Sequence, residues 1–201
     1  MPLRDAADRL AESPLLFHYL RKLPEMNYRA TKTRIAAIRD TLGSPRVLDA
    51  GCGTGEFAHL FDASTYVGVD VCEPYVRFAR RRSPGRRFEC ADVASWKWDG
   101  PPFDLVLVNG VLHHLDDSTA LGVLRGSAAL GRPGATVLVI EDVERRSAGI
   151  GTRLVHSLDH GHFIRTSTSW EALVSRVVAV ERSESYASGL CPYHLMLCTK
   201  R

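Results

Sequence analysis

Three glycines spaced two apart, Gly51, Gly53 and Gly55, follow an apolar run that ends in Val47-Leu48-Asp49-Ala50. Glycine at such positions lets the backbone turn sharply and approach a ligand with no Cβ in the way. The apolar-periodic stretch from Glu56 to Phe61 predicts the start of a helix, its exposed N–H groups aimed at whatever binds. A second apolar run, Tyr66–Asp70, ends in an acid. A carboxylate at the tip of the second strand is placed to accept hydrogen bonds from ribose hydroxyls. Two adjacent histidines, His113 and His114, leave the fourth apolar run, Phe103–Val108. Imidazole titrates near about pH 6.5, so either ring can accept a proton at neutral pH and act as a general base.

The spacing differs from the dinucleotide fingerprint Gly-x-Gly-x-x-Gly, because the third glycine arrives one residue early. Together with the preceding acid it reads Asp49-x-Gly51-x-Gly53-x-Gly55. This segment resembles the first motif of the class I S-adenosylmethionine (SAM)-dependent methyltransferases. Three further segments agree in order and spacing. Asp70 matches the acid that holds the SAM ribose. Phe88-Glu-Cys-Ala-Asp92 matches the third-strand end, where an Asp meets the adenine amino group. Phe103–Leu115 matches the fourth strand and its exit.

The resemblance covers roughly residues 45–142 and implies SAM as the cofactor. It places Asp49, Gly51, Cys52, Gly53 and Gly55 in the loop cradle, Asp70 and Val71 at the ribose, and Asp92 and Val93 around the adenine. Asn109 and Gly110 pass the methionine end. The sequence Asn109-Gly-Val-Leu112 departs from the Asp/Asn-Pro-Pro-Tyr of amino-group methyltransferases acting on DNA, which argues against base methylation. The implied activity is methyl transfer to an O or N atom of a small molecule. An RNA or protein methyltransferase and a non-catalytic SAM-binding domain stay open as alternatives.

The elements that must position these residues follow from pattern. Strands are expected at 46–50, 66–70, 86–91, 103–108 and 135–141, and helices at 55–61, 73–82 and 117–130, the last capped by the Asp116-Asp117-Ser118 cluster. Runs that are apolar throughout, at 103–108 and 135–141, fit a parallel sheet buried on both faces. Alternating βαβ units predict a Rossmann-like, doubly wound α/β layer. Val177–Tyr186 and Tyr193–Thr199 lack an intervening helix and read as a hairpin; the resemblance implies that the sheet closes this way, mostly parallel and seven-stranded with an antiparallel last strand. Residues 1–42 read as an N-terminal helical cap, with helices in Leu3–Lys22 and Tyr28–Leu42, and residues 43–201 as the catalytic domain. A rim insertion spans 143–168. Tyr28 and Arg29 can close over the cofactor from the cap.

A chain of 201 residues fits one domain. Hydrophobic content of 45% and charged content of 24% are ordinary for a soluble globular protein. No apolar run approaches the roughly 20 residues that span a bilayer, and the acidic N-terminus is no secretory signal. Five scattered cysteines without a Cys-x-x-Cys pair imply reduced thiols and a cytoplasmic location. Net charge of +3 argues against nucleic acid as partner and leaves a homodimer open. The basic run Arg77–Arg87 reads as a solvated helix face, with a phosphate-binding patch as the sharper alternative. His156, His160 and His162 are spaced by four and two, which do not share a helix face, so no metal is expected. Arg165 reads as an ordinary surface salt bridge, with a bidentate fork for an anionic substrate group as the sharper alternative.

Overall fold

The structure is a computed structural model and describes residues 25–144 and 163–201. The expected helix within Leu3–Lys22, the histidines 156, 160 and 162, and most of the rim insertion lie outside the described residues.

Five strands pair in parallel, the first four being β1 (Val47–Ala50), β2 (Tyr66–Asp70), β3 (Arg87–Cys90) and β4 (Phe103–Asn109). They are joined by β5 (Gly131–Asp142) and by the hairpin β6 (Ala179–Ser188) and β7 (Cys191–Thr199). The seven strands run in the order β3-β2-β1-β4-β5-β7-β6. β7 pairs antiparallel with both β5 and β6, so the expected hairpin is present and its second strand lies inside the sheet.

Among the described residues, four helices flank the sheet: α1 (Arg29–Leu42), α2 (Glu73–Arg82), α3 (Asp117–Leu130) and α4 (Ser167–Val174). Leu121 and Leu124 of α3 and Trp170 and Leu173 of α4 share one core with Leu48, Val106 and Val139. Ile35 of α1 and Val76 and Ala79 of α2 share the other with Val47, Leu105 and Leu138. Successive residues of β1, β4 and β5 therefore face opposite cores, which is why those strands read as unbroken apolar runs. Asp116 caps α3 as expected, accepting the Thr119 N–H at 2.8 Å.

Two expectations need correction. The helix expected at 55–61 is a single 3₁₀ turn, Ala58–Leu60. Only Phe61–Thr65 separate that turn from β2, and Asp62 closes a tight turn there by accepting from the Ser64 N–H at 2.8 Å, so the chain has no room for a full α-helix. The strand expected at 135–141 begins earlier, taking in Gly131-Arg-Pro-Gly134 across a register shift opposite Phe103 and Leu105. Gly134 supplies the positive φ (69°) that this irregularity requires.

The chain lays β2 and β3 on one side of β1, then returns to place β4 on the other. In an open α/β sheet, the crevice for a ligand lies at the carboxyl ends of the strands where this reversal occurs. The carboxyl ends of β1 and β4 are Ala50 and Asn109.

Candidate active site

A cavity of about 240 Å³ opens at that reversal. Gly51, Cys52 and Gly53 line it after β1, Asp70 after β2, and Asn109, Gly110 and Val111 after β4. Asp49 forms part of its floor, and Tyr28 and Tyr193 close it from outside the parallel strands.

The glycine elbow is built for this place. Gly51 has φ +77°, and a Cβ there would fall 2.3 Å from Val111 Cγ2. At Gly55 (φ +71°) a Cβ would meet Ala79 and the Phe88 ring at 3.1 Å, so this glycine serves packing between the elbow, α2 and β3. A Cβ at Gly53 (φ +51°) meets nothing within 4 Å. Gly53 thus faces open space, and a side chain there would fill room left for a ligand.

Two carboxylates stand beside the elbow. Asp70 accepts the Gly53 N–H on Oδ2 and the Cys72 N–H on Oδ1, both at 2.8 Å. Burial raises its pKa above the usual carboxylate range, and the two backbone N–H bonds oppose that rise. Asp49 is 2% exposed and accepts the Tyr66 hydroxyl at 2.7 Å. Burial pushes its pKa up to about 7; the Tyr66 bond opposes the rise and the nearby Asp70 charge adds to it. Glu56, also on the cavity wall, is 7% exposed and joined to Lys32 of α1 at 2.5 Å and Arg82 of α2 at 3.1 Å. That pair of cations ties both helices to the elbow.

The exit from β4 is clamped from two sides. Glu141, fully buried near the end of β5, accepts the N–H groups of Val111 (3.0 Å) and Leu112 (2.8 Å) on Oε1. Its Oε2 takes the His113 N–H at 3.3 Å and lies 2.8 Å from His113 Nδ1. Arg165 grips the carbonyls of Leu112 and Leu115 and the carboxylate of Asp117, over the face of Trp170. Arg165 thus forms a salt bridge within the protein, as the plainer of its two readings expects, and its fork is engaged there.

The same loop separates the two histidines. His113 is fully buried and outside the cavity lining, whereas His114 is exposed and lines it. The expectation that either ring serves as base narrows to His114, because His113 has no access to a substrate. The next residue along the rim, Asn109, carries a buried Oδ1 with no hydrogen-bond partner among the described residues.

The cavity brings together Asp49, Gly51, Cys52, Gly53, Asp70, Asn109 and His114. Gly55, Val71, Asp92 and Val93 lie outside its lining. Val71 is 69% exposed, and Val93 belongs to the core. Asp92 is exposed and accepts the Ala94 N–H at 2.9 Å, closing its own turn after β3.

The basic run is largely engaged within the fold. Arg80 binds the Phe88 carbonyl, Arg82 binds Glu56, Arg86 binds the carbonyls of Ala58 and Phe61, and Arg87 pairs with Glu89 over the Trp98 ring. This matches the solvated-face reading in place but gives its charges a structural task.

Sequence reasoning missed Glu141 and Glu25, and gave Tyr193 no more than a place on the last strand. Tyr193 donates to the fully buried Glu25 at 2.5 Å, fastening the start of the described chain to β7. Glu141 carried a usable signal, since the pair Glu141-Asp142 closes an apolar run at the same sheet end as Asp49 and Asp70. Glu25 and Tyr193 carried none, being separated by most of the chain.

Among known proteins, residues 47–134 match the family model described as a methyltransferase domain. A trans-aconitate 2-methyltransferase of Variovorax paradoxus is 35% identical over 101 residues, covering 48% of this chain and 39% of that protein. An uncharacterised methyltransferase of Mycobacterium tuberculosis is 38% identical over 104 residues, covering 49% and 51%. The chain thus spans about half or less of the curated relatives it matches. The N-methyltransferase NodS of Bradyrhizobium japonicum, solved with S-adenosylhomocysteine, superposes with a TM-score of 0.71 at 15% identity, over 96% of this chain and 97% of that one.

Proposed function

Taking residues 47–134 as a methyltransferase domain of the class I, Rossmann-like kind, we propose that this chain binds SAM in the elbow cavity and methylates an O or N atom of a small molecule. The observation that carries the reading is the acidic, glycine-walled cavity at the strand reversal. Gly53 offers open space, Asn109 Oδ1 awaits a donor, and two carboxylates, Asp49 and Asp70, face inward. That set of acceptors and negative charge suits a ligand bearing hydroxyls, an ammonium and a sulfonium. Asp70 retains acceptor capacity on both oxygens beyond its two backbone bonds, which fits a vicinal diol. SAM supplies an electrophilic methyl group on a positively charged sulfur.

The protein's share is alignment, since positioning alone can lower such a barrier by roughly 7–11 kcal/mol. Tyr28 and Tyr193 narrow the cavity on its acceptor side and exclude water. His114, exposed on the wall, accepts the proton that a hydroxyl or ammonium acceptor must lose, a contribution of about 10²–10⁴-fold. The engaged state of the arginine run supports a small acceptor over RNA. Five cysteines without a disulfide support a cytoplasmic setting. Incubation with SAM and a panel of phenols, amines and carboxylic acids, read by S-adenosylhomocysteine release, tests the proposal. Release with any small acceptor supports it, and methyl incorporation into macromolecules alone refutes it.

A further inference from the structure

The buried His113 has a task if His114 is the base, and this inference rests on that reading. Glu141 Oε2 lies 2.8 Å from His113 Nδ1, and Asp142 Oδ2 lies 3.8 Å from its Nε2. Both carboxylates are buried with it, Glu141 completely. An imidazole flanked by two carboxylates away from water favours its protonated form. The His113 and His114 ring centroids stand 4.0 Å apart, tilted by 43°. A fixed positive charge at that distance disfavours a second one on the neighbouring ring.

We infer that Glu141 is a positioning residue: it neutralises a protonated His113, which in turn holds His114 as an unprotonated proton acceptor on the cavity wall. Four donors converge on this one carboxylate, three backbone N–H groups and the His113 ring. The same group therefore orients the loop that carries His114 and sets the charge beside it. Among the described residues, several other ionisable groups stand around the two rings. On β5 stands Asp142; on the exit loop and α3, Asp116 is bound by Thr119 and Asp117 by Arg165. Across the cavity stand Asp49 and Asp70 from the strand ends and Glu56 from the elbow, with Glu25 behind Tyr193. These acids favour protonation of His114, so a cation at His113 is what opposes them.

Imidazole NMR titration of the full chain tests this, with His114→Gln assigning the signal. In the wild type, His113 is expected to keep its proton from pH 6 to 8 while His114 titrates below about 6.5. His113→Asn removes the cation, keeps a donor towards Glu141, and is expected to raise the proton affinity of His114 about tenfold. Glu141→Gln is expected to raise it by less, because it removes the cation and its counter-charge together. The acid limb of kcat/KM should move with the titration while KM for SAM stays unchanged. A His114 midpoint unmoved or lowered in His113→Asn overturns the inference, as does a wild-type His113 that loses its proton below pH 7. His113→Asn alone suffices where Glu141→Gln fails to fold. Normal turnover in His114→Gln with the titration shift intact would instead remove the base reading and leave the charge relation standing.

Discussion

Gly53 donates its N–H to Asp70 Oδ2 at 2.8 Å. The elbow after β1 and the acid at the end of β2 are therefore one unit, with the carboxylate aimed by the same backbone that lines the ligand space. The second Asp70 bond, from Cys72 at 2.8 Å, fixes the carboxylate from the other side. Small changes in this unit should act on binding before they act on folding.

Gly53→Ala and Gly51→Ala separate those two effects. At Gly53 the new methyl group meets open space, so the cost is the left-handed backbone alone, about 1 kcal/mol. SAM affinity should nevertheless fall at least tenfold, because the methyl occupies the ligand's room. At Gly51 the methyl collides with Val111 at 2.3 Å, so thermal unfolding should show a loss of about 1–3 kcal/mol. Calorimetric titration and melting curves on both variants check the contrast. Equal melting losses would contradict it.

Much of this arrangement was legible. The spacing of Gly51, Gly53 and Gly55 marked the elbow, and the all-apolar runs of β4 and β5 marked a sheet covered on both faces. The order of the βαβ units gave the reversal where the cavity lies. What stayed hidden depended on contacts between distant residues. Nothing local distinguishes His113 from His114; the buried Glu141, on another strand, binds one ring inside while the other stays exposed. Arg165 reads as a salt-bridge former and does pair with Asp117, but the carbonyls of Leu112 and Leu115 that it also grips are backbone groups with no sequence signature. The helix expected at 55–61 failed on length, which periodicity does not measure.

Glu141→Ala should be among the most damaging single changes. It leaves the Val111 and Leu112 N–H groups and the His113 ring without their acceptor in a buried place. Breaking a buried charged pair costs about 3–5 kcal/mol. Denaturant unfolding should show a loss of that order, against less than half as much for Glu141→Gln, which keeps an acceptor. A loss under 1 kcal/mol in Glu141→Ala would contradict the clamp.

Asp49 links stability to pH. Its folded pKa of about 7 lies above the ordinary 3.8, so the folded state holds a proton that the unfolded chain has released. Stability from this group is full below about pH 4 and is lost as pH rises to about 7, by up to roughly 4 kcal/mol. Asp49→Asn should flatten that part of the profile. A cationic ligand favours the ionised form, so SAM affinity should rise with pH through neutrality in the wild type and lose this slope in the variant. Melting and titration across pH 5–8 read both. Identical slopes in wild type and variant would count against the assignment.

Trp170 anchors α4. It is fully buried and donates Nε1 to the Asp142 carbonyl at 2.8 Å, beneath the Arg165 guanidinium at 4.6 Å from its ring centroid. Trp170→Ala should cost about 3–5 kcal/mol and loosen Arg165, visible as faster amide exchange at Leu115. Unchanged exchange there would separate the helix from the loop.

Calorimetric titration of SAM into the wild type and into Asp70→Ala tests the central claim most directly. One molecule of SAM per chain is expected in the wild type, with at least tenfold weaker binding in a folded Asp70→Ala. Absence of SAM binding in the wild type, or equal affinity in the variant, would contradict the assignment of this cavity.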